Sequence, residues 1–553
     1  MGSTWAVPVA FHFHPIELAR PRRTFFAEII MKVFREDIRR SAHINARFVM
    51  GSTSVASRPI GGTRVGQGMS CALWTAPAAG VRGSASRHRL TDDTYVSTSV
   101  NSVAWMGSAM RDANGSGETE TACAVERTML LRGDESRIDP EIFNHPYPFY
   151  RALRRQAPVY YDAKLDTYIV TRFDDIAAIM KDNETFSLAG AFEGTYASGR
   201  QDEFYEIMRR EGGGVFAAPR DPPEHTRIRR LMLPLFTTRR VKALEDRTRQ
   251  IVIELIEPLV ERGYADGIKE IGVPMTARIM CEQLGLDFGE VGAERFAQWS
   301  RVALAQMGRR QSYEQMLENA RILAGKQRLI IDTIKARTEA PCDDMISQLV
   351  NARIDDDERP ELEFGEIVAI VSALMVAGAD TTAAALANLM LSLATEPKLV
   401  PRLREAAEDD RLISRFVEET LRLHPPSHGL WRSPRRDVEI GGVTIPSGSQ
   451  VCVMFASAND DETHFRCPRN LDVDRGNTLS HLTFGMGIHR CVGAPLARME
   501  IKVAAGEIIR RLDGITLAIP VEKLTYVDTL VTQTLERLPL TFSRRSAGTP
   551  SGS

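Results

Sequence analysis

The sequence predicts a mainly α protein with a small β-rich part, and three observations carry that reading. From Asp221 to about residue 424, apolar residues recur at helical spacing. Within that stretch, residues 363–395 are nearly continuously apolar through Ile367, Val368, Ile370, Val371, Leu374, Met375 and Val376. That is the pattern of a helix buried on most sides. Strand patterns are confined to residues 158–172, a hairpin, and to residues 437–456, where Gly441-Gly442 and Pro446-Ser447-Gly448 mark turns.

The elements follow in order. Residues 1–130 are rich in Gly, Ser, Ala, Thr and Arg and lack sustained periodicity. Such a segment buries too little apolar surface to offset its ordering entropy, so it reads as a disordered extension or a mis-assigned start. Its Arg-rich, acid-poor composition also allows a transit peptide. Residues 131–545 read as one folded domain and 546–553 as a flexible tail. Pro146 opens a helix, since proline suits the first helical turn. Residues 187–219 read as a long loop with one short helix. Asp221 is a candidate N-cap for a helix carrying His225 and Arg229, which are four apart and share a face.

Composition bounds the function. The chain has 553 residues, 43% hydrophobic and 26% charged, an ordinary globular balance. A net charge of -2 gives no global argument for a nucleic-acid partner. No apolar run of membrane-spanning length without charges and no secretory signal is read. The seven cysteines are odd in number and scattered, without zinc spacing or a disulfide framework. A reducing compartment follows, and the chain reads as a cytoplasmic monomer.

Cys491 carries the chemistry. It lies in Phe484-Gly-Met-Gly-Ile-His-Arg-Cys491-Val-Gly493, between glycines and the start of an amphipathic helix. Glycine lets the chain turn tightly and lets a flat ligand approach the backbone. Helix-start amides favour the thiolate. A lone cysteine beside glycines is ordinarily a buried structural thiol. A thiolate in such a turn also suits the axial ligand of a haem iron.

Three further groups stand out. Ala377-Gly378-Ala379-Asp380-Thr381 interrupts the apolar helix with an acid and a hydroxyl. Thr381 is placed to bond back to the Ala377 carbonyl. Glu419 and Arg422 are three apart on one helix face. Arg432 follows the Pro425-Pro426 break, and His489 lies two before the cysteine.

Together these motifs resemble the cytochrome P-450 family over residues 139–545, about three quarters of the chain. The loop pattern is met at Phe484, Gly487, His489, Cys491 and Gly493. The resemblance implies the P-450 fold, with the long central helix over the haem, and haem b (iron protoporphyrin IX) bound through Cys491. His225, Arg229, Arg432 and His489 match the positions that hold the haem propionates. Asp380 and Thr381 match the acid and alcohol that deliver protons to dioxygen. Glu419 and Arg422 match a structural clamp, with Arg475 its third member, although Cys467 and Leu471 stand where relatives usually carry an acid and an aromatic.

The implied activity is that of a soluble, bacterial-type haem-thiolate monooxygenase. It inserts one atom of O2 into a small apolar substrate, as a hydroxylation. Reducing equivalents come from NAD(P)H through a reductase and a ferredoxin or flavodoxin. The carrier would dock near Arg227, Arg230, Arg490, Arg498 and Lys502. The substrate pocket would be lined by the 187–219 loop, Leu374, Met375, Ala377, Gly378, His428, Leu430, Trp431, Leu530 and Val531. Two other readings stand beside this one: a peroxide-using haem enzyme of the same fold, and a non-catalytic haem sensor.

Overall fold

The computed structural model describes residues 129–192, 201–214, 220–307, 311–356, 358–405, 410–527, 529–530 and 532–545. The extension over residues 1–128, the tail and Val531 lie outside the described residues.

Past a short helical turn at Pro140–Asn144, helix α1 (Pro146–Gln156) is entered on Pro146. A hairpin of β1 (Val159–Asp162) and β2 (Thr167–Val170) follows, then α2 (Phe173–Lys181) and the short β3 (Phe186–Ser187). Among the described residues of 187–219, a helical turn at Ala189–Phe192 and helix α3 (Gln201–Gly212) give more helix than the one short helix expected. The apolar side of α3, Phe204, Ile207 and Met208, packs on the helix Tyr313–Glu339.

Helix α4 (Glu224–Met232) carries His225 and Arg229. Its N-cap is Pro223, not Asp221. The Asp221 carboxylate instead accepts bonds from Ser187 Oγ at 2.5 Å and the Leu188 amide at 3.0 Å, and pairs with Arg435. It therefore ties the helix entry to the preceding segment.

Next come α5 (Glu245–Arg262), β4 (Tyr264–Asp266), α6 (Val273–Leu284), α7 (Ala293–Met307) and α8 (Tyr313–Glu339). Helix α9 (Phe364–Thr395) runs 32 residues, about 48 Å at 1.5 Å per residue. Among the described residues it is the one helix long and apolar enough to cross a membrane. Here it is a core helix, packed against α6, α7, α8 and the helix Ala494–Arg511. Its apolar residues join two core clusters, and Leu386, Ala387 and Leu389 are fully buried.

Helix α10 (Asp410–Leu423) leads to β5 (Leu430–Pro434), the hairpin β6 (Val438–Ile440) and β7 (Val443–Ile445), and β8 (Val451–Val453). The β6–β7 turn needs positive φ at both central residues, supplied by Gly441 at 56° and Gly442 at 78°. After the Cys491 loop come α11 (Ala494–Arg511), β9 (Leu512–Leu517) and β10 (Pro539–Arg544). The largest sheet has the order β1-β2-β8-β5-β3, with β2 and β8 parallel. A second sheet is β4-β10-β9. Cys281, Cys342, Cys452 and Cys491 are free, whereas Cys467 is disulfide-bonded, a bond the cysteine spacing did not indicate.

Candidate active site

The loop before Cys491 is fixed by backbone bonds. Leu482 N–H donates to Asn459 Oδ1 at 2.7 Å, and Cys491 N–H to the Phe484 carbonyl at 2.8 Å. Gly487 sits at φ 70°, and a Cβ there would collide with the Met180 carbonyl oxygen. The site thus requires glycine both for conformation and for close approach. Phe484 lies under the Arg498 guanidinium, 4.3 Å from its ring centre.

Cys491 is exposed at its surface yet hemmed in by protein. Burial pushes its thiol pKa up, while the Gly493 and Ala494 amides, Arg229 and Arg498 pull it down. The helix-start amides act in the direction the sequence suggests, but desolvation outweighs them. A metal ion at the sulfur would reverse that balance, because a coordinating thiol is deprotonated outright. Among the described residues no cluster of three His, Cys, Asp or Glu can hold a bare ion. Cys491 therefore fits a cofactor that brings its own remaining ligands.

The four predicted cationic or imidazole groups stand together. The His225 and His489 rings are 4.2 Å apart, and His225 Nδ1 and His489 Nε2 are buried without a partner. Burial, then Arg229, lowers the His225 pKa. Burial, then His225 and Arg432, lowers that of His489 to about 3. Arg432 is 2% exposed and, among the described residues, donates only to the Trp431 carbonyl at 2.7 Å and Met180 Sδ at 3.3 Å. Burial lowers its pKa to about 10. Arg229 donates to the Arg490 carbonyl at 2.5 Å. Two guanidiniums and two orphaned imidazoles without an ion pair form a cradle for carboxylates. That is what haem propionates require, so these residues fit the cofactor.

Away from its ends, α9 is partly exposed at Ala369, Ser372, Ala373, Val376, Ala377, Gly378, Asp380 and Thr381, mostly at helical spacing, with Ala373 and Ala377 the most open of these. Ala377 is the predicted lining residue on this stripe. Leu374 and Met375 are instead core residues. Gly378 backs onto α6, where a Cβ would lie 2.7 Å from Met280 Sδ. Ser372 and Ala373, not singled out from sequence, lie on the open side. The available signal was helical spacing, since Ala373 stands one turn before Ala377.

Thr381 Oγ donates to the Ala377 carbonyl at 2.6 Å. Asp380 does not meet Thr381. Its Oδ2 accepts from Thr534 Oγ at 3.0 Å, and Thr534 also reaches Thr532 Oγ at 3.2 Å. Burial raises the Asp380 pKa. A water-sized cavity of about 10 Å³ lies beside it, lined by Thr276 and Ser300 among others. The two threonines were missed because they lie about 150 residues from Asp380 in sequence.

Leu430 and Trp431 are half-buried in β5 beside Arg432, and Leu530 is half-buried. His428 is 3% exposed and bonded through Nδ1 to Tyr150 Oη at 3.2 Å, so it belongs to the packing beneath the sheet. Glu419 and Arg422 form a two-pronged pair at 2.8 and 2.9 Å with fully buried side chains. Arg475 Nε joins Glu419 at 3.0 Å, and its Nη1 holds the Arg466 carbonyl at 2.6 Å. The clamp thus ties α10 to the segment before the Cys491 loop.

Comparisons with known proteins bear on the family. Residues 298–518 match the Cytochrome P450 family model. The chain is 32% identical over 381 residues to Cytochrome P450 107B1 of Saccharopolyspora erythraea, covering 68% of this chain and 89% of that one. It is 32% identical over 401 residues to 6-deoxyerythronolide B hydroxylase of the same organism, covering 71% and 95%. It is 30% identical over 423 residues to Vitamin D(3) 25-hydroxylase of Pseudonocardia autotrophica, covering 73% and 96%. Among solved structures, cytochrome P450 CREJ in complex with (4-ethylphenyl) dihydrogen phosphate superposes with a TM-score of 0.66 at 28% identity, covering 72% of this chain and 97% of that one. A predominantly helical fold and these relatives converge: the chain belongs to the cytochrome P450 family and is a haem-dependent monooxygenase.

Proposed function

We propose that this chain hydroxylates a predominantly apolar small molecule, with electrons passed from NAD(P)H through a reductase and a ferredoxin or flavodoxin. The observation that carries the substrate class is the open stripe on α9, where Ala373 and Ala377 expose methyl groups beside the Thr381 hydroxyl. Two of the relatives named above are hydroxylases, which supports the reaction type. Bound haem supplies the oxygen activation, and the protein supplies orientation, water exclusion and protons.

Cys491 would hold the haem through its sulfur, and His225, Arg229, Arg432 and His489 would anchor its carboxylates. Thr381 offers hydroxyl lone pairs to a water on the open side, because its own hydrogen is engaged by Ala377. Asp380 is the proposed proton reservoir, held by Thr534. An acid and an alcohol at adjacent positions favour an O2-driven reaction over a peroxide-driven one, which needs no protons from the distal side.

On the docking face, Arg230 and Arg490 are exposed and remain candidates for an acidic carrier. Arg227 is buried against Glu366, and Arg498 is paired with Glu418 at 2.6 Å, so both are withdrawn from that role. Lys502 is half-buried, 3.9 Å from Glu245. A monomer in the cytoplasm completes the reading.

The test is spectroscopic. Reduced protein under carbon monoxide is expected to show the red-shifted Soret band of thiolate-ligated haem, and Cys491→Ser to lose it. Retention of the band in that variant would assign the ligand elsewhere.

A further inference from the structure

Six cationic side chains are buried among the described residues: Arg137, Arg154, Arg227, Lys326, Arg422 and Arg432. Their partners divide them. Arg154 pairs with Asp460, Arg227 with Glu366 and Arg422 with Glu419. Arg137 has no carboxylate, but its guanidinium reaches Tyr150 Oη at 2.7 Å and Gln533 Oε1 at 3.0 Å and lies over the Phe143 ring. Arg432 has none either, and it stands in the cradle built for propionates.

Lys326 is the remaining one. It lies on α8, 3% exposed, and its Nζ makes one bond, to Ser372 Oγ at 2.8 Å. An ammonium has three donors, and burying a charge without pairing it is costly. Burial lowers its pKa to about 8, so it stays largely protonated at neutral pH. Its neighbour Gln327 is committed to the Gly212 carbonyl at 2.7 Å.

The position of its partner gives the group a use. Ser372 belongs to the open stripe of α9, next to exposed Ala373. Nine residues separate Ser372 from Thr381, about 13 Å along the helix. A cation therefore stands at one end of the apolar side whose other end carries the reacting hydroxyl.

We infer that Lys326, with Ser372 as its positioning partner, binds an anionic group of the substrate, a carboxylate or a phosphate, about 13 Å along α9 from Thr381. This rests on the monooxygenase reading of the same site. The substrate is then not wholly apolar: it is an apolar body with an acid at one end, oxidised at the other.

The experiment uses full-length holoprotein and spectral titration with matched pairs: long-chain fatty acids, alkyl phosphates and aryl carboxylic acids, each with its methyl ester or neutral alcohol. In the wild type, at least one acid is expected to bind about tenfold tighter than its neutral partner. Whether carboxylates or phosphates show the preference identifies the group. Lys326→Met should abolish the preference while leaving the neutral compound's affinity within about twofold, and Lys326→Arg should retain most of it. Substrate-free Lys326→Met should also melt about 2 °C higher, since an unpaired buried charge has been removed. The inference is overturned if no acid outbinds its own neutral partner, if the preference survives in Lys326→Met, or if that variant melts lower or fails to load haem. A missing thiolate band in the wild-type carbon monoxide spectrum defeats the underlying monooxygenase reading; an intact band without acid preference defeats this inference alone.

Discussion

Asp380 and Thr381 are adjacent in sequence, yet their side chains serve different partners. Thr381 is bonded within its own helix, and Asp380 to the C-terminal segment at Thr534. Their variants should therefore differ. Thr381→Ala removes a hydroxyl without harming the helix, since alanine is the better helix former. Haem and substrate should still bind and reducing equivalents should still be consumed. Product per electron pair should fall about tenfold, with hydrogen peroxide making up the difference. Asp380→Asn should instead slow all turnover by about tenfold or more, because the proton source is lost. Thr534→Val should shift towards the Asp380→Asn behaviour. Product, peroxide and cofactor counted in one assay separate these outcomes. Unchanged coupling in Thr381→Ala removes that hydroxyl from the mechanism.

Between elements, the decisive contact is the clamp of Glu419, Arg422 and Arg475. Isolated on a helix surface, a Glu–Arg pair contributes little. Here Arg422 also holds the Asn459 carbonyl at 2.8 Å, and Glu419 accepts the Asp472 amide at 3.1 Å. The pair thus satisfies backbone that leads to the Cys491 loop. Replacing Arg422 by Ala leaves Glu419 buried with half its partners and should cost about 3–5 kcal/mol. Little haem-loaded protein is expected from Arg422→Ala, whereas Arg475→Lys keeps the charge, loses the planar fork and should fall between it and wild type. Haem absorbance per protein, with a urea midpoint, measures both.

At the scale of the whole molecule, stability should depend on pH through a group outside the candidate site. Glu500 on α11 is 1% exposed, and its Oε1 has no partner. Burial raises its pKa to about 8. The unfolded chain releases that proton near the ordinary glutamate value, so between there and pH 8 the folded state binds more protons than the unfolded one. Stability then falls as pH rises through that window. Glu500→Gln removes the dependence and should stabilise the protein by about 4 kcal/mol at pH 8 and by less than about 1 kcal/mol at pH 5. Thermal midpoints of the two proteins at both values decide it; equal shifts at both pH values would exclude an ionising Glu500.

The sequence by itself determined what local chemistry determines. The apolar run of α9, the glycine turn before Cys491 and the helical spacing of His225 and Arg229 were legible because each depends on near neighbours. Resemblance extended this to Arg432 and Arg475, whose roles have no local signature. Tertiary structure decided the rest. On a helix buried on most sides, periodicity cannot tell which small gap is left open, so Leu374 and Gly378 proved to be packing residues while Ser372 and Ala373 line the opening. Asp221, a sound N-cap by type, was taken by Ser187 and Arg435 instead. Thr534 and Lys326 carry no motif at all. Their meaning arises from groups that only folding brings near them: a buried acid for one, and a single serine hydroxyl in place of an acid for the other.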